Sequence, residues 1–371
     1  MTTRSPLTPA QRVSWLRLIR TDNVGPSTFR TLINRFGSAD AALRALPELT
    51  RRGGGRHARI PTLAEVEDEL ASVDRMGARI VALTDPDYPP HLRHGANPPP
   101  ILTIIGGSAL AHEKTVGIVG ARNASAAGRR MAQLLAQDLG EAGYVIVSGL
   151  ARGIDGAAHK ASLERGTLAV MAGGIDHIYP REHDDLAREI VASGGALITE
   201  MPLGWEPRAR DFPRRNRLVA GISLGVVIVE AAKRSGSLIT ARLAVEQNRE
   251  VFAVPGSPLD PRAEGGNHLI QQGAKLVTSA RDILDELTHA DPSRLPLFES
   301  PLDDPDTQPD TPPSENERDQ LIEALSPTPT AIDVLIETTA LSAASIQMLL
   351  LELELAGRIE RSSGQLVALR G

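Results

Sequence analysis

No cysteine occurs among the 371 residues, which removes disulfide frameworks, thiolate zinc sites and cysteine nucleophiles and leaves no argument for an oxidising compartment. Aromatic residues make up 3% of the chain. That is too few for an extended surface on which successive bases stack, so any nucleic-acid binding is expected to rest on backbone phosphates. Long hydrophobic runs are also missing: the longest, near 218–232, is interrupted by Ser223 and Glu230, and the opening MTTRSPLTPAQR has no apolar core. Neither a signal peptide nor a membrane span is expected, and cytoplasmic residence is the default reading. Lysine is scarce, four of 40 basic residues (Lys114, Lys160, Lys233, Lys275), a bias that base composition explains as readily as phosphate binding. Two nucleotide signatures are absent as well. No G-x-G-x-x-G lies between Gly120 and Gly128, and no G-x-x-x-x-G-K-[ST] occurs, which argues against a nicotinamide dehydrogenase and a P-loop ATPase.

The charge that is present is unevenly spread. The whole chain carries −6, but residues 291–319 hold nine acids against Arg294 and Arg318, a net of −7. Residues 201–242 hold eight basic residues against three acidic ones, a net of +5. The cations are therefore concentrated where an anionic partner could use them. The acidic stretch also contains seven prolines and few large apolar residues, the composition of a disordered linker. A second boundary falls near 85–100, where DPDYPPHLRHGANPPP is too rich in proline for a helix. The reading is a helical domain over 1–84, an α/β domain over 85–288, a linker over 289–319 and a small domain over 320–371.

In the central part, strand patterns at 101–105, 115–119, 144–147, 167–171, 196–199, 226–229 and 251–254 alternate with helical ones. This is the signature of a doubly wound, mainly parallel sheet with its binding loops beyond the carboxyl ends of the strands. Small-residue loops stand at those ends: Gly120–Asn123, Ser148–Gly153, Ala172–Gly174, Ser235–Ser237 and Pro255–Ser257. The segment 211–241 is the most informative. Its strand Gly225–Val229 is apolar on both pleat faces, and Lys233, Arg234 and Ser235-Gly236-Ser237 follow at the start of a helix. Converging N–H groups there suit a phosphate. On the other side, Arg214, Arg215 and Arg217 surround Asn216 in what reads as the first turn of another helix, where cations oppose the dipole unless an anion lies near.

Catalytic and metal readings are weaker. Asp155 and His159 are four apart on one helical face, but no third ligand stands at a matching spacing, and a structural hydrogen bond is the favoured reading. Asp176, His177, His183, Asp184 and Asp185 read as a polar loop near the groove rather than a metal cluster. Ser148, Ser235 and Ser237 lack a histidine base at motif spacing. No catalytic residue, metal or cofactor is expected.

Taken together, GARNASAAG, SGLARGIDGAAH, GGIDHIYPREH, FPRRNRLVAGIS, VVIVEAAKRSGSLITA, REVFAVPG and GGNHLIQQGA resemble the DNA-processing protein A (DprA, also called Smf) family over roughly 85–288, and the likeness extends into both ends. The resemblance implies an extended Rossmann-like domain that binds single-stranded DNA, forms a homodimer and helps load the RecA recombinase in natural transformation. It implies a basic DNA pocket with Arg122 in the GAR turn, Arg181 in YPREH, where the family often carries lysine, and Arg208 or Arg210 before FPRRNR. Ser235, Gly236 and Ser237 would donate to phosphate, with Arg152, Lys233, Ser148, Gly149 and Gly173 in the surrounding loops. Arg215 and Arg217 either join them or brace the loops. An unpaired strand can bend into such a groove, whereas a stiff duplex would not enter, so preference for single strands follows.

The N-terminal unit resembles a sterile-alpha-motif-like or helix-hairpin-helix module; its turn Asn23–Pro26 is not basic, which favours packing or docking over duplex binding. Arg51–Arg56 reads as a flexible solvated loop. The C-terminal unit resembles a small winged helix, with Ser342 capping a helix to about Ala356, Gly357 ending it and a hairpin wing over 358–369. Its net charge is −3 and its third helix, SAASIQMLLLELELA, has no basic residue, so a protein interface is favoured over a major-groove reader. The alternative function is a Rossmann-like nucleotide sensor or nucleotide N-glycosidase, although the P-G-G-x-G-T-x-x-E motif of the latter is missing.

Overall fold

In the computed structural model, the described residues are 6–55, 58–95, 97–107, 114–289, 313–362 and 364–370. The chain divides into two compact units, one of residues 1–6 and 68–298, the other of residues 7–67 and 299–371.

The first unit holds β1 (Ala78–Ala82), α5 (Pro90–Arg93), β2 (Ile101–Gly106), β3 (Thr115–Gly120), α6 (Ala126–Glu141), β4 (Val145–Ser148), α7 (Ile154–Ala161) and β5 (Thr167–Val170). It continues through α8 (Asp184–Ala192), β6 (Ala196–Thr199), α9 (Asp211–Ile222), β7 (Gly225–Val229), α10 (Gly236–Glu246), β8 (Glu250–Ala253), α11 (Glu264–Gln271), β9 (Lys275–Leu276) and α12 (Ala280–His289). The strands form one nine-stranded sheet in the order β1-β2-β6-β5-β4-β3-β7-β8-β9. From β6 to β9 every pairing is parallel, while β2 runs antiparallel to both β1 and β6. Val116, Ile118, Ile146, Val227 and Val229 meet α6, α7 and α12 in one core cluster. Val226 and Ile228 point to the opposite pleat face and are equally buried. Burial on both faces is why β7 reads as a continuous apolar run.

The seven expected strands correspond to β2–β8, each within a residue or so. Two edge strands were not expected. β1 lies inside the stretch read as helical, so the boundary near residue 84 moves: Ala78–Ala82 pairs with Ile101–Ile105 and belongs to the central sheet. β9 has two residues, too short to leave a pattern. Most of the linker read at 289–319 lies outside the described residues, and its last residues are already helical, with Ser314 as cap.

The second unit joins the two ends of the chain. α1 (Pro9–Ile19), α2 (Pro26–Phe36) and α3 (Ala39–Arg52) pack around Trp15, Leu16, Phe29, Leu32 and Leu46; α4 (Leu63–Arg75) begins in this unit. Trp15 and Phe29 meet edge to face at 5.0 Å. The C-terminal part has α13 (Glu315–Ala324), β10 (Thr330–Ala331), α14 (Ile332–Thr339), α15 (Ala343–Leu355), β11 (Ile359–Ser362) and β12 (Leu366–Leu369), the strands in the order β10-β12-β11. Ile346, Leu349, Leu350 and Leu353 of α15 enter its own core. The remaining large apolar residues of α15, Met348, Leu351 and Leu355, are buried too. α3 packs along this helix, and a Cβ on Gly55 would lie 2.9 Å from Ala356. Asn23 Nδ2 donates to Leu355 O at 3.2 Å and Thr28 Oγ1 to Glu354 at 2.9 Å. The expected solvated loop at Arg51–Arg56 is corrected here. Arg51 and Arg52 end α3 and pair with Glu48, while Gly53 and Gly55 fit against the end of α15; Arg56 lies outside the described residues.

Among the described residues, no single helix is long and apolar enough to cross a membrane. The bent pair α14–α15 passes on composition, and its apolar residues form the winged-helix core.

Candidate nucleic-acid interface

The sheet winds one way from β3 to β6 and the other way from β7 to β9, and the crevice beyond the carboxyl ends at such a reversal is where open α/β sheets take ligands. A groove of about 920 Å³ lies there, lined by Gly120–Asn123 after β3, Gly149 and Ala151 after β4, Tyr179, Pro207, Phe212, Arg215 and Asn216, and the turn at 234–237 after β7.

One wall is cationic and aromatic. Arg122 is exposed at the end of β3, with its guanidinium carbon 4.8 Å from the centre of the Phe212 ring. Phe212 meets Tyr179 edge to face at 5.4 Å, and Tyr179 is 51% exposed. Two rings with a guanidinium can stack on a base or two, far short of an extended platform. The opposite wall is the start of α10. Ser235 caps the helix, its Oγ 3.3 Å from Ser237 N and 2.7 Å from Ser237 Oγ. A Cβ on Gly236 would meet nothing within 4 Å, so the backbone is open on that side. Arg234 and Arg262 line the same groove, Arg262 also held by Asp260 at 2.9 Å. Helix N–H groups flanked by arginines are the donors that suit an anion.

Beneath the groove lie two buried charged residues, each held by backbone. Arg215 is 5% exposed and spans two strand ends, its Nη1 donating to Gly149 O and, at 2.5 Å, to Val170 O. Burial pulls its pKa down to about 10, against the raising effect of Asp155. Asp155 is pushed up by burial, with Arg215 opposing the shift, and its Oδ2 accepts from Gly149 N at 3.1 Å and Ala151 N at 3.4 Å. The loop so held contains Leu150 at φ +55°, a left-handed conformation that costs a branched residue free energy and needs such anchoring. Its carbonyl faces His183 Nδ1 at 2.9 Å.

The sequence-derived residues separate into groups. Arg122, Gly149, Arg215, Ser235, Gly236 and Ser237 meet at the groove. Arg181, Arg208 and Arg210 are exposed outside its lining, with Arg208 over Trp205 at 5.0 Å. Arg152 pairs with Glu182 at 2.7 Å and Lys233 with Glu264 at 3.4 Å, both exposed. Ser148 is fully buried and gives its hydroxyl to Ile118 O at 2.6 Å, so it has no surface to offer a ligand. Gly173 lies against the backbone of Trp205. Arg217 is held by Glu200 and donates to Asn97 O at 2.9 Å, while Glu200 also takes Arg214 at 2.9 Å. Of the two options left open for Arg215 and Arg217, both side chains brace loops.

Three groove residues were not singled out as contacts, Arg234, Arg262 and Asn216. Arg234 and Asn216 stand within the basic segment that was read; Arg262 follows β8 by nine residues, and no local pattern marks it. Asp155 and His159 do not bond each other. His159 Nδ1 meets Thr167 Oγ1 at 2.7 Å, and Thr167 donates onward to Ile146 O at 2.9 Å, which makes the histidine the donor and leaves Nε2 without a partner. Burial drives its pKa down to about 3. Among the described residues no three metal-ligating side chains converge.

Family models match in three places: DNA recombination-mediator protein A over residues 79–288, a DprA-like N-terminal HHH domain over 9–72, and a DprA winged helix domain over 305–365. Protein Smf of Escherichia coli K12 is 37% identical over 361 residues, 96% of this chain and 95% of that one. DNA processing protein DprA of Bacillus subtilis is 45% identical over 221 residues, 59% of this chain and 74% of that one. Among solved structures, DprA of Streptococcus pneumoniae has a TM-score of 0.62 at 33% identity, covering 76% of this chain and 99% of that one. The Helicobacter pylori protein, described for its single-stranded DNA binding mode, has a TM-score of 0.52 at 27% identity over 57% of this chain and 95% of that one.

Proposed function

The chain belongs to the DNA recombination-mediator protein A family, and from that premise we propose that its central unit binds single-stranded DNA in the groove between β3 and β7. The observation that carries this reading is the convergence, at the reversal of strand order, of Arg122, Arg234 and Arg262 with the N-terminus of α10. Phosphates would take the α10 turn and the arginines, and a base would lie against Tyr179 and Phe212. Arg181, Arg208 and Arg210, exposed nearby in sequence, would extend the cationic track. Ser148, Gly149, Gly173, Arg215 and Arg217 serve as supports of the loops rather than as contacts.

The role is binding, not catalysis. Ser148 is committed to Ile118 O, His159 to Thr167, and Asp155 to two backbone N–H groups, which leaves none of them poised as nucleophile or base toward the groove. In the cytoplasm the protein would protect the bound strand as a homodimer and pass it to RecA, in natural transformation or repair. An exposed Leu276 on edge strand β9 suits an association of this kind.

The test is fluorescence anisotropy of labelled oligo-dT and the matching duplex over a salt series, for wild type and Arg122→Ala. Single-strand binding that weakens with salt and with the substitution is expected. Equal affinity for duplex, or no binding at low salt, overturns the reading.

A further inference from the structure

We propose that Glu230 is a positioning residue for this groove, an internal carboxylate that takes the phosphate's place at α6 and thereby holds the loop that carries Arg122. The proposal rests on the DNA-groove reading for its functional consequence. Its geometry is independent of that reading.

In a dinucleotide-binding sheet, the helix after the first parallel strand turns its N-terminus to a pyrophosphate. Here the corresponding helix is α6, after β3, and its N-terminus is already filled. Glu230 Oε2 accepts from Ser125 N at 2.8 Å, Oε1 accepts from Ser125 Oγ, and Ser125 Oγ in turn accepts from Gly128 N at 2.9 Å. A negative charge at this point satisfies the helix dipole as an anion would. Room for it comes from Gly128, where a Cβ would lie 2.6 Å from both carboxylate oxygens. Glu230 follows β7 directly and stands at φ +53°, a left-handed conformation with a steric cost for any residue bearing a Cβ.

The result is a strap across the reversal point. The Gly120–Ser125 loop leaves β3, carries Arg122 at the groove wall, and is tied at Ser125 to the end of β7, just before the Ala232–Ser237 turn. Ala121 O accepts from Ile154 N at 3.2 Å, which fixes the other end of the loop. Both walls of the groove are thereby referred to one residue. The α6 terminus is closed to phosphate, and the α10 terminus is left as the open one.

Charge and position predict opposite signs. A carboxylate beside a cationic groove repels a polyanion, so by charge alone Glu230→Ala would tighten DNA binding. As a strap, its loss weakens binding, by about tenfold if the affinity given by one well-placed arginine is lost. Gly128→Ala pushes the carboxylate out of its seat without removing it and should cause the same loss. In the Glu230→Ala background it should cost nothing more, because the two substitutions break one contact.

Two measurements on the full chain decide the matter. Oligo-dT anisotropy is read for wild type, Glu230→Ala, Gly128→Ala, the double variant and Glu230→Gln, with thermal unfolding to confirm folding. Trypsin cleavage after Arg122, followed by mass in the absence of DNA, reads the loop directly. Faster cleavage and weaker binding in both single variants, without addition in the double one, support the proposal. Tighter binding in Glu230→Ala, full additivity, or unchanged cleavage overturns it. If Glu230→Ala does not fold, Gly128→Ala decides in its place, and unchanged cleavage there overturns the strap; Glu230→Gln, which keeps one acceptor for Ser125 N, should lie between wild type and Gly128→Ala. Failure of wild type to bind any strand removes the DNA reading, while the cleavage rates still judge the strap.

Discussion

Two regions of this molecule carry the features usually read as nucleic-acid binding, and they are built in opposite ways. The crevice between β3 and β7 is open, lined by Arg122, Arg234, Arg262 and the start of α10, with Asp155 and Arg215 buried beneath it. The third helix of the winged helix, α15, is the element that reads the major groove in many such modules. Here its residues 348–353 are all buried, α3 lies along it, and its Glu352 is paired internally with Arg318 at 2.8 Å. A module's shape therefore does not assign its task. Of these two regions, the crevice presents cations and backbone donors to solvent together.

The largest expected effect tests the foundation of the crevice. Arg215→Ala strips the buried Gly149 and Val170 carbonyls of their shared donor, so at about 1–3 kcal/mol for each acceptor left unsatisfied a loss of roughly 2–6 kcal/mol is expected in denaturant unfolding. A loss within about 1 kcal/mol, on the order of a surface ion pair, would make the Arg215 brace dispensable and reduce the contrast with the apolar seam of the second unit.

That seam has its own test. A Cβ on Gly55 would press on Ala356 and on Thr50 at 2.9 Å, and overpacking of this kind costs typically about 1–3 kcal/mol, so Gly55→Ala should destabilise the second unit. DNA affinity of the folded protein should stay unchanged, and a changed affinity would join the two regions that this comparison separates.

A pH effect comes from His159. Its folded pKa is near 3, below the roughly 6.5 of an unfolded histidine. Between these values the unfolded chain binds the extra proton, so this contribution is fully present above about pH 6.5 and is lost as pH falls toward 3, at up to about 1.4 kcal/mol per unit. His159→Gln should flatten the slope over that window, as measured by unfolding at stepped pH.

Smaller still, Arg122→Ala should weaken oligo-dT binding by about tenfold, or ~1.4 kcal/mol, with little change in unfolding because the side chain is exposed. The smallest effect is expected at Arg361, whose Nε lies 3.0 Å from Glu354 in the second unit. Its alanine variant should leave DNA affinity within about twofold, under ~0.5 kcal/mol. A larger change would bring the winged helix back as a DNA-binding element.

Much of this was legible in the sequence, for identifiable reasons. β7 announced itself because burial on both faces demands five apolar residues in a row, and the start of α10 because Ser235 is a residue type that caps a helix. The two-residue β9 was illegible because it is too short to show a period. β1 was hidden inside a stretch dominated by the helices before it. Arg51–Arg56 misled because glycine-rich and basic composition suits a solvated loop, yet the glycines are needed for close approach to α15.

The sequence by itself determined the alternation of strands and helices, the loops at the strand ends and the concentration of positive charge after residue 201, since these depend on local periodicity and turn chemistry. Which arginines remain available was decided by tertiary structure. Arg215 is committed to carbonyls 66 and 45 residues away, Arg217 to Glu200 and to Asn97, 120 residues away, while Arg122, in contact with the Phe212 ring, stays at the groove wall. The reason is physical: a guanidinium's partner is chosen by proximity in space, and the parallel sheet brings strand ends together from distant parts of the chain.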